Sequence, residues 1–268
     1  MSVPPPHLYR REALALGRDA DSVAHALDIR YETDRHGAES VYTLGHLAHV
    51  TGAPRDYLRD VVARRRDPYI DIDRPKRDGR TRAISSPEPV LMDVQRWILR
   101  NMLTAIEVHP ASYAYQKSRS IVQCAEMHLG ARWLIKLDIH HFFDSIQEKA
   151  AYRIFNRLGY PPLLSLELTR LCSRVPFPDH VRREYAKFPG KAPYAVSQEG
   201  HLPQGAPTSG AIANAAMFAV DEKLSALAHR RQLVYTRYSD DLAFSSGTDT
   251  TRRHAAAVIN DVSGVLEA

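Results

Sequence analysis

Residues 233–247 read LVYTRYSDDLAFSSG, two β-prone runs around a pair of adjacent aspartates, Asp240 and Asp241. Val, Tyr, Thr and Phe favour a pleated, half-buried surface, so the stretch predicts an antiparallel hairpin with both carboxylates at its turn. On a regular strand two neighbouring side chains point to opposite faces. At the apex of a tight hairpin the backbone reverses, and both can approach one point. Like charges held together push up one another's pKa, so something must offset the repulsion. A divalent cation does: Mg²⁺ takes hard oxygen ligands and keeps open positions for water and phosphate. Taken alone, an Asp-Asp pair reads first as an ordinary solvated turn, and only its context overturns that reading.

A third carboxylate supplies that context. In ARWLIKLDIHHFFDSI (131–146) the chain begins as a strand ending near Asp138. Alternation puts Leu134 and Lys136 on the side of Asp138, with Ile135, Leu137 and Ile139 on the other. If this strand neighbours the hairpin, three carboxylates converge. Two metal ions held there could activate an attacking hydroxyl and stabilise a leaving oxyanion. Zinc is a poorer fit, because His140 and His141 have no cysteine at ligand spacing.

The rest of the chain reads as α+β, with helices packed on a sheet face. Residues 8–66 are helical in pattern. TLGHLAHVTGAPRDYLRDVVARR gives two short helices around Thr51-Gly52, which suit either a helix-turn-helix or a helical cap on the main domain. YIDIDRPKRDGRTRAISS (69–86) predicts a hairpin with Asp78-Gly79 at its apex. Helical spacing follows in PVLMDVQRWILRNMLTAI, and two further helices flank Pro161-Pro162. A loop-rich insert spans 176–203, and a long helix begins near Ser209. In the last segment Val258, Ile259, Val262, Val265 and Leu266 predict an apolar stripe closing the underside of the sheet.

Composition narrows the setting. The formal charge is +5 and the pI about 9.2. The basic residues cluster in ARRRD (63–67), DRPKRDGRTR (73–82) and VRR (181–183). Clustered Lys and Arg suit a phosphate backbone, although a solvated charged surface has the same composition. Two cysteines, Cys124 and Cys172, give neither metal spacing nor a disulfide framework, and fit a reducing cytoplasm. No run of eighteen or more apolar residues occurs, so no membrane partner is expected.

The ordered motifs resemble those of reverse transcriptases. YSDD resembles their YxDD signature, and IKLDIHHFFDSI their first palm motif. HLPQGAPTSGAIAN is similar to the LPQGxPxSP loop and helix at the nucleotide site. PKRDGRTRAISSP with QRWILRNML is similar to the fingers hairpin and its following helix, and SYAYQKSRSIVQCAEMH to the segment joining fingers and palm. The set covers roughly residues 69–247 and is most similar to the bacterial retron-type and defence-associated enzymes.

The resemblance implies a right-hand fingers–palm fold: an N-terminal helical region over 1–66, fingers over 67–132, and a palm over 133–268 interrupted by the insert. It implies that Asp138, Asp240 and Asp241 hold two Mg²⁺ ions, with Mn²⁺ able to substitute. Phe143 matches a steric gate against a ribose 2′-hydroxyl, with Phe142 then in the core. Gln204 and Gly205 match the loop against the incoming nucleotide. Arg80 and Arg82 match basic residues that grip the triphosphate, Arg82 with the better motif fit and Lys76 the weaker. Tyr238 would lie near the primer end.

The implied activity is DNA synthesis from dNTPs on a structured RNA template, through an RNA–DNA hybrid, in antiphage defence. An untemplated or protein-primed DNA polymerase, or a non-catalytic RNA-binding scaffold, are the alternatives. Three details depart from the family. Cys124 stands where Asn is usual, although His128 is retained; TSG replaces the usual Ser-Pro; and the likeness stops before a glycine-lysine motif, a primer-grip hairpin and a thumb. An effector protein or a complementing thumb segment is therefore an expected partner, with little primer extension by residues 1–268 alone.

Overall fold

The computed structural model describes residues 5–75, 81–175 and 199–267. The chain divides into two units, Met1–Ile106 with Gln147–Thr208, and Glu107–Ile146 with Ser209–Ala268.

The first unit is mainly helical: α1 (Pro6–Ala15), α2 (Ala20–Arg35), α3 (Leu44–Thr51), α4 (Arg55–Val62) and, after a hairpin, α5 (Pro89–Asn101). Local chemistry sets the ends. Asp19 caps α2 by accepting the Ser22 N–H at 2.8 Å. Thr43 caps α3 by accepting from His46 N at 3.1 Å, and Gly52 ends that helix at φ 70°. Leu47, Leu58, Val61 and Val62 are fully buried, and α3 and α4 pack on α5 and on α9 (Pro162–Cys172) respectively.

Helix α9 is buried on nearly every side, from Leu164 through Cys172 apart from Leu166. It follows α8 (Glu148–Arg157) across a turn where Gly159 has φ 95°. A side chain at Gly159 would stand 2.6 Å from Glu32 Cβ, so only glycine lets α2 approach this turn. Burial pushes the Cys172 thiol up to about 12, which leaves it an inert packing residue.

The hairpin pairs β1 (Tyr69–Pro75) with β2 (Thr81–Pro87) antiparallel, Tyr69 opposite Pro87 and Pro75 opposite Thr81. Its expected Asp78-Gly79 apex lies outside the described residues. Arg174 fastens the hairpin base. It donates to Asp67 at 2.9 Å and to Ser85 Oγ at 2.8 Å, and bonds Asp71 as well. Arg174 also pairs with His201 in an isolated bridge, which ties the last residues of the insert to the segment that precedes it.

The arginines of the basic run at 63–67 have carboxylate partners within this unit. Arg64 is buried and bonds Glu148, the Ser173 hydroxyl at 2.7 Å and the Arg170 carbonyl at 3.2 Å. Arg66 makes a two-pronged contact with Glu88, at 3.0 and 2.8 Å. Spacing alone could not distinguish such residues from phosphate ligands, because a buried arginine and a solvated one read alike in sequence.

The second unit is a three-stranded antiparallel sheet ordered β3 (Trp133–Asp138), β5 (Asp241–Ser246), β4 (Val234–Tyr238). Helices α10 (Ser209–Arg230) and α11 (Arg252–Glu267) bury one face against Tyr235, Leu242 and Phe244. Val258, Val262 and Val265 form the α11 seam, while Ile259 and Leu266 remain over a third exposed. The expected five-residue stripe is thus three residues wide in practice, because steps of four and three keep one face and the two flanking positions turn away.

On the opposite face, the segment after α6 (Ile121–Glu126) places His128 between two sheet hydroxyls, Ser245 at 2.6 Å and Thr236 at 2.7 Å. Desolvation lowers the His128 pKa below its ordinary value. As pH falls through about 6.5 the unfolded imidazole takes up its proton first, so this contribution to stability is present above that pH and lost below it. Wild type should therefore lose more stability than His128→Gln between about pH 7.5 and about pH 5.5. Urea midpoints at the two pH values decide it, and equal losses would contradict the assignment.

Candidate active site

Strand β3 alternates as its sequence predicts: Leu134, Lys136 and Asp138 face outward, and Ile135 and Leu137 pack inward. Asp138 lies directly opposite Asp241 in the β3–β5 register. Cross-strand partners share a sheet face, so the two carboxylates do as well. Tyr238 pairs with Asp241 across β4–β5, which leaves a two-residue loop of Ser239 and Asp240. Ser239 has φ 60°, the positive first central torsion common to two-residue hairpin turns. Asp240 follows it, and its carbonyl accepts from Ile139 N at 2.9 Å. Three carboxylates, from a strand end, a turn and the next strand start, thus stand at one end of this sheet.

Lys136 meets part of their charge, with Nζ 3.0 Å from Asp241 Oδ1. The donor set suits a hard divalent cation in kind: carboxylates, partly exposed, on a turn held by main-chain bonds. The three are not closed around a common point, and among the described residues no three His, Cys, Asp or Glu side chains form a metal cage. Lys136 occupies one of the two Asp241 carboxylate oxygens.

The turn is held from below by a pair that no sequence pattern announced. Arg237 and Asp221 are fully buried and joined at 2.7 and 2.9 Å. Arg237 also donates to the Ser239 carbonyl at 3.0 Å, and Tyr235 OH donates to Asp221 at 2.8 Å. Burial first, and the Asp221 charge second, raise the Tyr235 pKa well above normal, so that hydroxyl stays a donor.

Phe143 lies on the short helix α7 (Phe142–Ser145) and is half-buried, while Phe142 beside it is 4% exposed. Its ring meets Tyr115 edge-on with centroids 6.1 Å apart. Tyr115 was not singled out in the sequence. The aromatic at 115 carries no periodic signal, and only the chain path brings it here.

In the first unit, the Gln204 carbonyl accepts from Ser85 N at 2.7 Å, which docks its loop on β2. Gly205 has φ 119°, and a side chain there would stand 2.5 Å from Ile84 Cγ2 and 3.0 Å from the Ser85 carbonyl. The glycine already has a reason to be glycine in this contact with the hairpin. Arg82 sits in β2 opposite Arg74. Arg80 and Lys76 lie outside the described residues.

An α+β chain that ends one antiparallel sheet with an aspartate turn opposite a third aspartate belongs to a family with a shared sequence pattern. The model of the reverse transcriptase (RNA-dependent DNA polymerase) family matches residues 74–266, and the chain belongs to that family. Its likeness is to the retron type. It is 34% identical to the retron Mx162 reverse transcriptase of Myxococcus xanthus over 92% of this chain and 53% of that protein. It is 32% identical to the retron Ec86 reverse transcriptase of Escherichia coli over 63% of this chain and 45% of that protein. The retron Mx65 reverse transcriptase of M. xanthus is 30% identical, over 90% and 50%. The chain spans about half the length of these relatives. Among the described residues no helix is long and apolar enough to cross a membrane.

Proposed function

We propose that this chain carries the fingers and palm of a retron-type enzyme that synthesises DNA on a structured RNA template, in an antiphage setting. The observation that carries the reading is the register of Asp138 opposite Asp241, with Asp240 in the adjoining turn. When bound, a pair of Mg²⁺ ions supplies charge neutralisation and an activated hydroxyl at neutral pH. Asp138, Asp240 and Asp241 would hold that pair. The primer 3′-hydroxyl loses its proton to solvent, its oxygen forms a bond to the dNTP α-phosphorus, and the bond to pyrophosphate breaks. Phe143 lies under the sugar and leaves no room for a 2′-hydroxyl. Arg80 and Arg82 take the triphosphate through planar guanidinium donors. Gln204 and Gly205 present main chain to the incoming nucleotide.

The test is primer extension on an RNA template, with each dNTP and each rNTP offered singly. Incorporation should follow the template base, require a divalent cation and favour dNTPs. Phe143→Ala should raise rNTP use relative to dNTP by roughly 10-fold or more, the scale on which pocket shape discriminates. Template-independent addition would favour the untemplated alternative. RNA binding without incorporation would favour the scaffold.

A further inference from the structure

We infer that Tyr115 is a positioning residue that sets the Phe143 ring and the Ser239-Asp240 turn together, and so helps determine which sugar is accepted. The inference rests on the proposed gate role of Phe143.

Tyr115 sits in a backbone conformation that a bulky side chain rarely adopts, φ 60°. Such an outlier persists only where its surroundings over-determine it. Here they do. Its segment runs beside β4, where Arg237 N donates to the Ala111 carbonyl at 2.7 Å and Tyr113 N to the Arg237 carbonyl at 2.8 Å. Asn214, buried on α10, donates to the Ala114 carbonyl at 2.8 Å and accepts from Ser112 Oγ at 2.9 Å. Gln116 closes the loop by donating to the Ser112 carbonyl at 2.7 Å.

So held, Tyr115 remains 54% exposed, an unusual outlay of constraint on a ring that buries little area. Its contacts explain the constraint. The ring lies over Gly210, where a methyl group would stand 2.6 Å from Cδ1. Its edge-on contact with Phe143 fixes the approach of that ring. Its hydroxyl lies 2.9 Å from Ser239 Oγ, one residue before Asp240. One side chain therefore touches the proposed gate and the turn of the proposed metal ligands, and Gly210 is the floor that allows it.

The experiment compares single-nucleotide incorporation of dNTP and rNTP by the full chain in five variants: Phe143→Ala, Tyr115→Ala, Tyr115→Phe, Gly210→Ala, and Gly210→Ala combined with Tyr115→Ala. Tyr115→Ala should raise the rNTP-to-dNTP ratio by roughly 10-fold, as Phe143→Ala does. Tyr115→Phe keeps the ring and should keep the ratio, while kcat falls for both sugars with KM unchanged. Gly210→Ala should reproduce the Tyr115→Ala ratio by displacing the ring, and should add nothing once Tyr115 is alanine. If Tyr115→Ala fails to fold, Gly210→Ala carries the same comparison with every Tyr115 atom present. A wild-type ratio in Tyr115→Ala and Gly210→Ala, beside a changed ratio in Phe143→Ala, overturns the positioning role alone. An unchanged ratio in Phe143→Ala overturns the gate assignment and this inference with it.

Discussion

Asp240→Asn should leave the chain folded and lower nucleotide incorporation by at least about 10²–10³-fold, the loss typical when one charge-stabilising group is taken from an active site. The fold contribution of Asp240 is made by its carbonyl, which accepts from Ile139 N at 2.9 Å, and asparagine keeps that bond. The side chain is partly exposed on a two-residue turn whose shape is set by Ser239 and Arg237. Stability should stay within about 0.5 kcal/mol of wild type, as for surface changes away from special features. Asn removes a charge without changing size, so a loss of activity with an unchanged melting point isolates the carboxylate. Asp241→Asn differs in one respect, because it also releases Lys136. That pair is well exposed and contributes little to stability. Wild-type incorporation by Asp240→Asn with Mg²⁺ would remove Asp240 from the proposed ligand set.

The contrast between these residues and their supports shows what the sequence could tell. Strand periodicity carries the outward set of Leu134, Lys136 and Asp138, because side-chain direction alternates with a period of two. The YSDD turn is legible for a related reason: two β-prone runs separated by two residues leave few chain paths. Apolar patterns name the buried face of a helix but not which charged residue is drawn inside. Arg64 and Arg66 look like their neighbour Arg65 in sequence, yet Arg64 is buried against Glu148. Tyr115 and Gly210 are 95 positions apart by their numbers, and nothing periodic links them. The glycine at 205 is legible through its motif, but its torsion and its closeness to Ile84 and Ser85 are not.

The second large effect is expected at Asp221, also silent in the sequence. Asp221 and Arg237 are both fully buried, and each satisfies the other. Asp221→Ala strands the Arg237 guanidinium without its carboxylate, and Tyr235 OH without its acceptor. Removing one partner of a buried pair costs about 3–5 kcal/mol. Against a total of roughly 5–15 kcal/mol for a domain, that is enough to lower the urea midpoint severely or unfold this unit. The pair itself is a weaker stabiliser than its fragility suggests, since well-packed apolar residues of similar volume often replace such pairs at no net cost. Asp221→Leu with Arg237→Met should therefore recover most of the stability that Asp221→Ala loses. Incorporation should not recover with it. Arg237 also donates to the Ser239 carbonyl at 3.0 Å, and methionine leaves that turn unsupported one residue before Asp240. Denaturation midpoints and incorporation rates on the same three proteins separate the two roles. A double variant that regains both stability and incorporation would show that the buried arginine does not orient the aspartate turn.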